Sequence, residues 1–198
     1  MRLHVVVIVE GHGDSAAIRL LLERIWYEEL GGEFIKVVPW RATQGEIRHP
    51  DLSRRVFEAA SIKLHANRTN EDRRLLLILM DSEGEECPLE AAPEYIRRAN
   101  VVRSDMEVAC VLANPMFETW FAAAADSLRG INGLPQDLEK PEDPEGNQLG
   151  KRWVKASLCR KYKERHDQPA FVRSMSLSEC RASSRSFRKL FDELKRRI

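Results

Sequence analysis

Four nearly continuous apolar runs stand out along the first 115 residues of the chain. They predict buried strands at residues 3–9, 34–38, 75–80 and 107–113, with Pro39 ending the second strand. Between the runs, apolar residues recur at the spacing of one helix face, as at Ile18, Leu21 and Leu22. Helices are therefore predicted at about 14–30, 52–65 and 88–99, and from Pro115 onward. Alternating strands and helices predict an α/β fold, a Rossmann-like, mainly parallel sheet flanked by helices.

The pattern changes after Arg129. Residues 130–149 are rich in Gly, Pro and acidic side chains without periodicity, which is typical of a loop. Residues 151–166 predict one basic helix, and Phe187, Leu190 and Leu194 mark the apolar stripe of a last helix. We divide the chain into an α/β core at 1–129, an acidic loop at 130–149 and a basic helical C-terminal segment, 150–198, packed on the core.

Charge is distributed unevenly, although the 198 residues sum to a net charge of only +1. Residues 1–150 hold 17 basic and 26 acidic side chains, whereas residues 151–198 hold 15 basic and 5 acidic ones. A near-neutral total made of two opposite parts does not exclude a polyanionic ligand.

Several protein classes are excluded by the same inspection. The longest apolar runs fall far short of the roughly 20 residues that span a bilayer, and the N-terminus lacks a signal-peptide pattern. The four cysteines form no CxxC pair. We expect a cytoplasmic protein with reduced thiols, no structural zinc and no membrane contact.

Acidic side chains gather where the predicted strands end. Glu10 ends the first strand, Asp81 and Glu83 end the third, and Glu118 lies in the first turn of the helix after the fourth. Ligands of open parallel sheets bind at this carboxyl edge, where adjacent strands lie about 4.8 Å apart. Carboxylates packed so closely repel each other, and a hard divalent cation such as Mg²⁺ or Mn²⁺ would relieve that repulsion. Singly, each acid is also explained as a solvated turn or helix-start residue.

The loop after the first strand fits a competing motif. Residues 11–16 match G-x-G-x-x-A, the dinucleotide-binding fingerprint, which leaves a Rossmann-type nucleotide-binding protein as an alternative. However, Glu10 and Asp14 flank that loop and would repel a pyrophosphate, and no acidic residue ends the second strand to hold a ribose. A Walker loop is excluded because no G-K-[ST] follows the glycines.

The ordered acids resemble a known module. A strand ending in Glu10-Gly11, Asp14 four residues on, and a later strand ending in Asp81-x-Glu83 resemble the Toprim domain of topoisomerases, primases and overcoming-lysogenization-defect (OLD) nucleases. Nearly the whole chain resembles a bacterial Toprim-like family of unknown function. That second resemblance includes Cys87-Pro88, 117–121, Tyr162-Lys163, Asp167-Gln168, Arg181 and 184–187.

The Toprim resemblance implies roles for individual residues. Glu10 would be a metal ligand or general acid/base, and Asp81 and Glu83 would be metal ligands, so Glu10 and Asp81 are the candidate catalytic residues. Asp14 would serve a second metal site, and Glu118 would be an additional ligand. The chain departs from the usual Asp-x-Asp pattern at Glu83, whose longer side chain alters the ligand geometry.

The activity implied is metal-dependent hydrolysis of nucleic-acid phosphodiesters, with two metal ions about 4 Å apart. The basic segment would hold the phosphate backbone or dock on the acidic part of the chain. Resemblance further implies an ATPase partner in anti-phage defence or DNA processing. A non-catalytic regulatory or interaction subunit is the alternative. The candidate nucleic-acid-binding residues are Lys151, Arg152, Lys155, Arg160, Lys161, Lys163, Arg181, Arg185 and Arg188.

Overall fold

The computed structural model of the chain describes residues 2–66, 72–83, 87–146 and 150–198, without the side chains of residues 12–14 and 88. Its described part holds one four-stranded sheet in the order β2-β1-β3-β4, and every neighbouring pair is parallel. The α/β, Rossmann-like fold predicted from the sequence is therefore confirmed. The strands are β1 (Arg2–Val9), β2 (Phe34–Arg41), β3 (Arg73–Asp81) and β4 (Glu107–Ala113).

Helices flank both faces of this sheet and extend beyond it at the C-terminus. The first, α1, continues into a π-helical turn at Ile25–Glu29, and a 3₁₀ turn at Ala125–Leu128 follows α5. The helices are α1 (His12–Arg24), α2 (Gln44–Arg48), α3 (Pro50–His65), α4 (Pro88–Val102), α5 (Thr119–Ala123), α6 (Gly150–Ser157), α7 (Glu164–Ser174), α8 (Leu177–Ser183) and α9 (Arg185–Lys195).

Two hydrophobic cores form because successive side chains of a strand point to opposite faces of the sheet. Leu3, Val5 and Val7 of β1 join one core with α1 and the C-terminal helices. Val6 and Ile8 join the other core with α2, α3 and α4. Strands buried on both faces explain the nearly continuous apolar runs in the sequence.

The C-terminal helices belong to the first core. Val154 of α6, Phe171 of α7 and Phe187 of α9 lie in the same buried cluster as β1. The Trp120 ring of α5 packs edge-on against Phe187 at 5.4 Å, and the Phe121 ring meets Phe171 at 5.3 Å. Aromatic pairs of this kind contribute about 0.5–1.5 kcal/mol each beyond their buried area. The C-terminal segment thus holds α5, and the loop before it, in place.

Two local predictions are wrong at prolines. Pro39 lies inside β2, opposite Val7, because β2 is an edge strand and a proline there needs no ladder partner on its open side. Pro115 follows a cis peptide bond and does not open a helix; α5 begins at Thr119. Residues 114–118 instead cross the end of β3, where the Glu83 N–H donates to the Pro115 carbonyl at 3.0 Å.

The basic helix predicted at 151–166 is also wrong, because the chain breaks into α6 and α7. The intervening residues bury Leu158 and Tyr162, so hydrophobic burial outweighs the continuation of the helix. The last helix is confirmed as α9, and residues 130–146 contain neither helix nor strand. Within the described ranges, no helix is long and apolar enough to cross a membrane.

Candidate functional site

An acidic cleft of about 340 Å³ opens at the carboxyl end of the sheet. Glu10 directly follows β1 and Asp81 ends β3, and these two strands are neighbours in the sheet. Four acids singled out from the sequence therefore reach one cleft, together with two charged groups from the C-terminal segment. The residues lining the cleft are Glu10, Gly11, Gln44, Asp81, Glu83, Glu118, Lys151 and Glu164.

The backbone that carries Asp81 and Glu83 is held from two sides. The Phe117 N–H donates to Asp81 Oδ1 at 2.8 Å. From α2, Gln44 Nε2 donates to the carbonyls of Asp81 at 3.1 Å and Glu83 at 2.9 Å, and Arg48 also donates to the Glu83 carbonyl. These bonds tie the end of β3 to α2 and to the segment before α5. The Asp81 carboxylate is thus oriented by the backbone of the neighbouring loop.

Glu118 forms the buried wall of the cleft and is only 2% exposed. Tyr162 donates its hydroxyl to Glu118 Oε1 at 3.2 Å, and Gln168 Nε2 donates to the same oxygen at 3.3 Å. Burial, followed by the charge of Glu118, raises the pKa of Tyr162 well above its usual value. The phenol therefore remains a hydrogen-bond donor throughout the physiological pH range.

The ammonium group of Lys151 lies among the carboxylates of the cleft. Its Nζ lies 2.7 Å from Glu164 Oε1 and 3.9 Å from Glu118 Oε1. Burial lowers the pKa of Lys151, but the hydrogen bond to Glu164 and the charges of Glu118, Glu164 and Asp81 together raise it above the usual value. Lys151 is therefore protonated and partly neutralises the cluster.

The balance of charge in the cleft remains strongly negative. Among the residues that the structure describes, five carboxyl groups and one ammonium line it. However, no three Asp, Glu, His or Cys side chains in the described part of the chain lie close enough to form a ready metal site. Oxygen donors suit Mg²⁺ or Mn²⁺, while their spacing requires side-chain movement before they could share an ion. Asp14 belongs to α1, and its side chain lies outside the described residues.

The structure separates the nine predicted nucleic-acid-binding residues into distinct surroundings. Lys151 lies in the acidic cleft, and Arg160 is paired with buried Asp167 at 2.7 Å. The Arg181 guanidinium lies over the Phe191 ring, 4.4 Å from its centroid. Arg152, Lys155, Lys161 and Lys163 are exposed.

Arg185 and Arg188 line a second groove, of about 720 Å³, together with acidic residues of the 130–146 loop. Glu145 Oε1 accepts hydrogen bonds from Ser184 Oγ at 2.6 Å and from the Ser186 N–H at 2.8 Å, which clamps that loop to the start of α9. Part of the basic segment thus faces the chain's own acids, as one of the sequence alternatives proposed.

Gln44 and Glu164 are cleft residues that sequence reasoning missed. Gln44 lies in a short helix outside the predicted elements. Had residues 151–166 formed one helix, Lys151 and Glu164 would lie about 20 Å apart, since each helical residue advances the chain 1.5 Å. The chain reversal between α6 and α7 brings them together instead.

A known protein family matches nearly the whole chain, including the cleft. The chain matches the model of a family described as a domain of unknown function, DUF4276, over residues 9–195. The chain belongs to this family. The matched range includes every residue named above as lining the acidic cleft, so the DUF4276 region runs through the core, the acidic loop and the C-terminal helices. No curated protein and no solved structure gives a significant match.

Proposed function

We propose that the protein binds Mg²⁺ or Mn²⁺ in the acidic cleft and hydrolyses phosphodiester bonds of a nucleic acid, as the resemblance to Toprim nucleases implies. The observation that supports this most directly is the meeting of five carboxylates with one ammonium at the carboxyl end of a parallel sheet. Such an excess of negative oxygen ligands favours a hard dication over further protein cations.

Asp81 and Glu118 are the preorganised ligands in this proposal, because hydrogen bonds from Phe117, Tyr162 and Gln168 already hold them. Glu10 and Glu83 lie at the ends of strands, with half-buried and exposed side chains respectively, and would rotate toward the ion. Glu164 would either leave its ion pair with Lys151 to bind the ion, or keep that ion pair. The cleft would therefore tighten when it is loaded.

A bound dication supplies charge stabilisation at a phosphoryl oxygen and an acidified water. Within the chain, Glu10 would either accept the proton of the attacking water or act as a ligand. Asp81 would serve as a ligand of the ion, and the Phe117 N–H would keep its carboxylate oriented for that role. The Lys151 ammonium would offset the negative charge of the phosphodiester that approaches the acidic wall.

The substrate would reach the cleft along α6. Lys151 lies in the first turn of that helix and is followed in it by the exposed Arg152 and Lys155, and after the helix by exposed Lys161 and Lys163. Phosphate contacts of this kind hold a backbone without reading its sequence.

The test is incubation of the full chain with single- and double-stranded DNA and RNA, in Mn²⁺, Mg²⁺ or EDTA. We expect metal-dependent cleavage that Glu10→Gln removes and that Glu107→Gln, a carboxylate change at the opposite end of the sheet, retains. Failure of the wild-type chain to bind Mn²⁺ in a titration would overturn the proposal.

A second candidate is a non-catalytic subunit that works with an ATPase. It is favoured by Lys151, which already partly neutralises the cleft, and by the spacing of the described acids. If this candidate is correct, the chain alone cleaves nothing, and cleavage begins only when an ATPase encoded beside it is added. Binding of NAD(P) without metal would instead favour the Rossmann-type alternative.

A further inference from the structure

Glu118 differs from the other acids of the cleft in how it is held. Two of its donors, Tyr162 and Gln168, come from the C-terminal segment, 44 and 50 residues further along the chain. Both are buried, at 8% and 1% exposure. Each donor is electrically neutral, so together they orient the carboxylate without cancelling its charge. A carboxylate held in this way keeps its attraction for a cation.

The two donors are themselves tied together by Asp167, which is fully buried. Asp167 Oδ2 accepts the N–H of Lys163 at 2.7 Å, and Lys163 directly follows Tyr162. Gln168 directly follows Asp167 in α7. Arg160 donates to both carboxylate oxygens of Asp167, at 2.9 and 2.7 Å. Asp167 therefore holds the backbone between the two Glu118 donors.

We propose that Tyr162 and Gln168 are positioning residues that hold Glu118 as a ligand of the cation site. Asp167 fixes the backbone that carries both of them. This inference rests on the proposed metal-binding function and deepens it. Loss of these two donors would favour a turn of the Glu118 carboxylate toward Lys151, whose Nζ already lies 3.9 Å away. A ligand lost to that ion pair no longer serves the bound ion.

The inference also accounts for residues that the cleft alone does not explain. Tyr162, Asp167 and Gln168 are not among the described residues that line the acidic cleft. Tyr162 and Gln168 nevertheless donate to its buried wall, Glu118, and Asp167 holds the backbone between these two donors. The C-terminal segment would thus complete the metal site from behind, in addition to any contact with a nucleic acid.

The experiment is Mn²⁺ titration of the full-length chain by calorimetry, with folding checked by thermal unfolding. Tyr162→Phe removes one donor and keeps the ring, and we expect roughly tenfold weaker Mn²⁺ binding, the usual effect of losing a partner that orients a ligand. Tyr27→Phe is the matched control, because its hydroxyl accepts the Ile35 N–H at 3.2 Å and does not line the cleft. It should leave Mn²⁺ affinity unchanged.

A double-mutant cycle gives the decisive readout. In a Glu118→Gln background, Tyr162→Phe should cause no further loss of Mn²⁺ affinity, because the residue it positions is already removed. Gln168→Met carries the same test if Tyr162→Phe fails to fold. An equal loss in both backgrounds, or no loss in either, overturns the positioning role while the metal site stands. A wild-type chain that binds no Mn²⁺ overturns the proposed function and this inference together.

Discussion

The two ends of the parallel sheet hold their acidic side chains in opposite ways. At the amino end, His4 Nε2 lies 3.3 Å from Asp72, and Glu107 lies 2.7 Å from Arg73 and 3.1 Å from Arg197. Glu107 is thus paired with two guanidinium groups, whereas burial lowers the pKa of His4, so its contact with Asp72 is not an ion pair at neutral pH. At the carboxyl end, the described lining of the cleft has five carboxyl groups and one ammonium. The excess of acids at a ligand-binding edge is what the proposed cation would offset.

The largest effect expected from this comparison is on metal affinity at Asp81. Asp81→Asn removes the charge and keeps an oxygen to accept the Phe117 N–H. We expect Mn²⁺ affinity to fall more than about 100-fold, beyond the range for residues that only orient ligands. Calorimetric titration measures it, and an affinity equal to that of the wild-type chain would remove Asp81 from the site.

Much of the carboxyl end follows from the sequence. Glu10 and Asp81 directly follow or end strongly apolar strands, and strand ends of a parallel sheet share one edge, so their meeting is a consequence of local pattern and general topology. The α/β class and the last helix are predicted for the same reason, since hydrophobic periodicity is a local property of the chain.

The parts that the sequence could not provide depend on contacts between distant residues. Lys151 and Glu164 meet because the chain turns back where Leu158 and Tyr162 are buried, and helix-like composition hides that turn. Gln44 reaches the carboxyl end of β3 only because α2 packs beside that strand end. The structural role of Asp167 is also hidden in the sequence, because no local motif marks its pairing with Arg160, seven residues earlier.

The second-largest effect is expected at Asp167, a buried acid that is paired with Arg160. Its pKa is held well below the usual range, because hydrogen bonds from Arg160, His166, Lys163 and Asn132 outweigh the opposing effect of burial. Asp167→Asn should lower the free energy of unfolding by about 2 kcal/mol at pH 7, measured by urea denaturation. Asp192→Asn, on the exposed side of α9, is the control and should change it by less than about 0.5 kcal/mol.

The sign of the pH dependence follows from the lowered pKa of Asp167. Its stabilising contribution is complete above the unfolded-state pKa of about 3.9 and is lost as pH falls toward the folded-state value. The difference between the wild-type chain and Asp167→Asn should therefore shrink between pH 4 and pH 2. A difference that grows on acidification would contradict the proposed ionic role of Asp167.

A smaller effect is expected at Lys151, whose positive charge offsets part of the negative charge of the cleft. Lys151→Met removes a positive charge close to the site of a dication, which is worth about 1 kcal/mol in a solvated cleft. Mn²⁺ affinity should rise several-fold, while cleavage should fall if the ammonium also supports the phosphodiester. Calorimetry and a cleavage assay separate the two. Unchanged Mn²⁺ affinity would mean that Lys151 does not compete for the cluster.

The smallest effect belongs to the amino end. Glu107 is 40% exposed at its side chain and pairs with the half-buried Arg73, so Glu107→Gln should lower the free energy of unfolding by less than about 1 kcal/mol. Arg197 keeps Glu193 as a partner 3.1 Å away, which limits the loss. Mn²⁺ affinity should not change, because the charge removed lies at the far edge of the sheet. If Glu107→Gln weakened Mn²⁺ binding as Asp81→Asn does, the two ends would not differ in function, since a general loss of negative charge would then explain both.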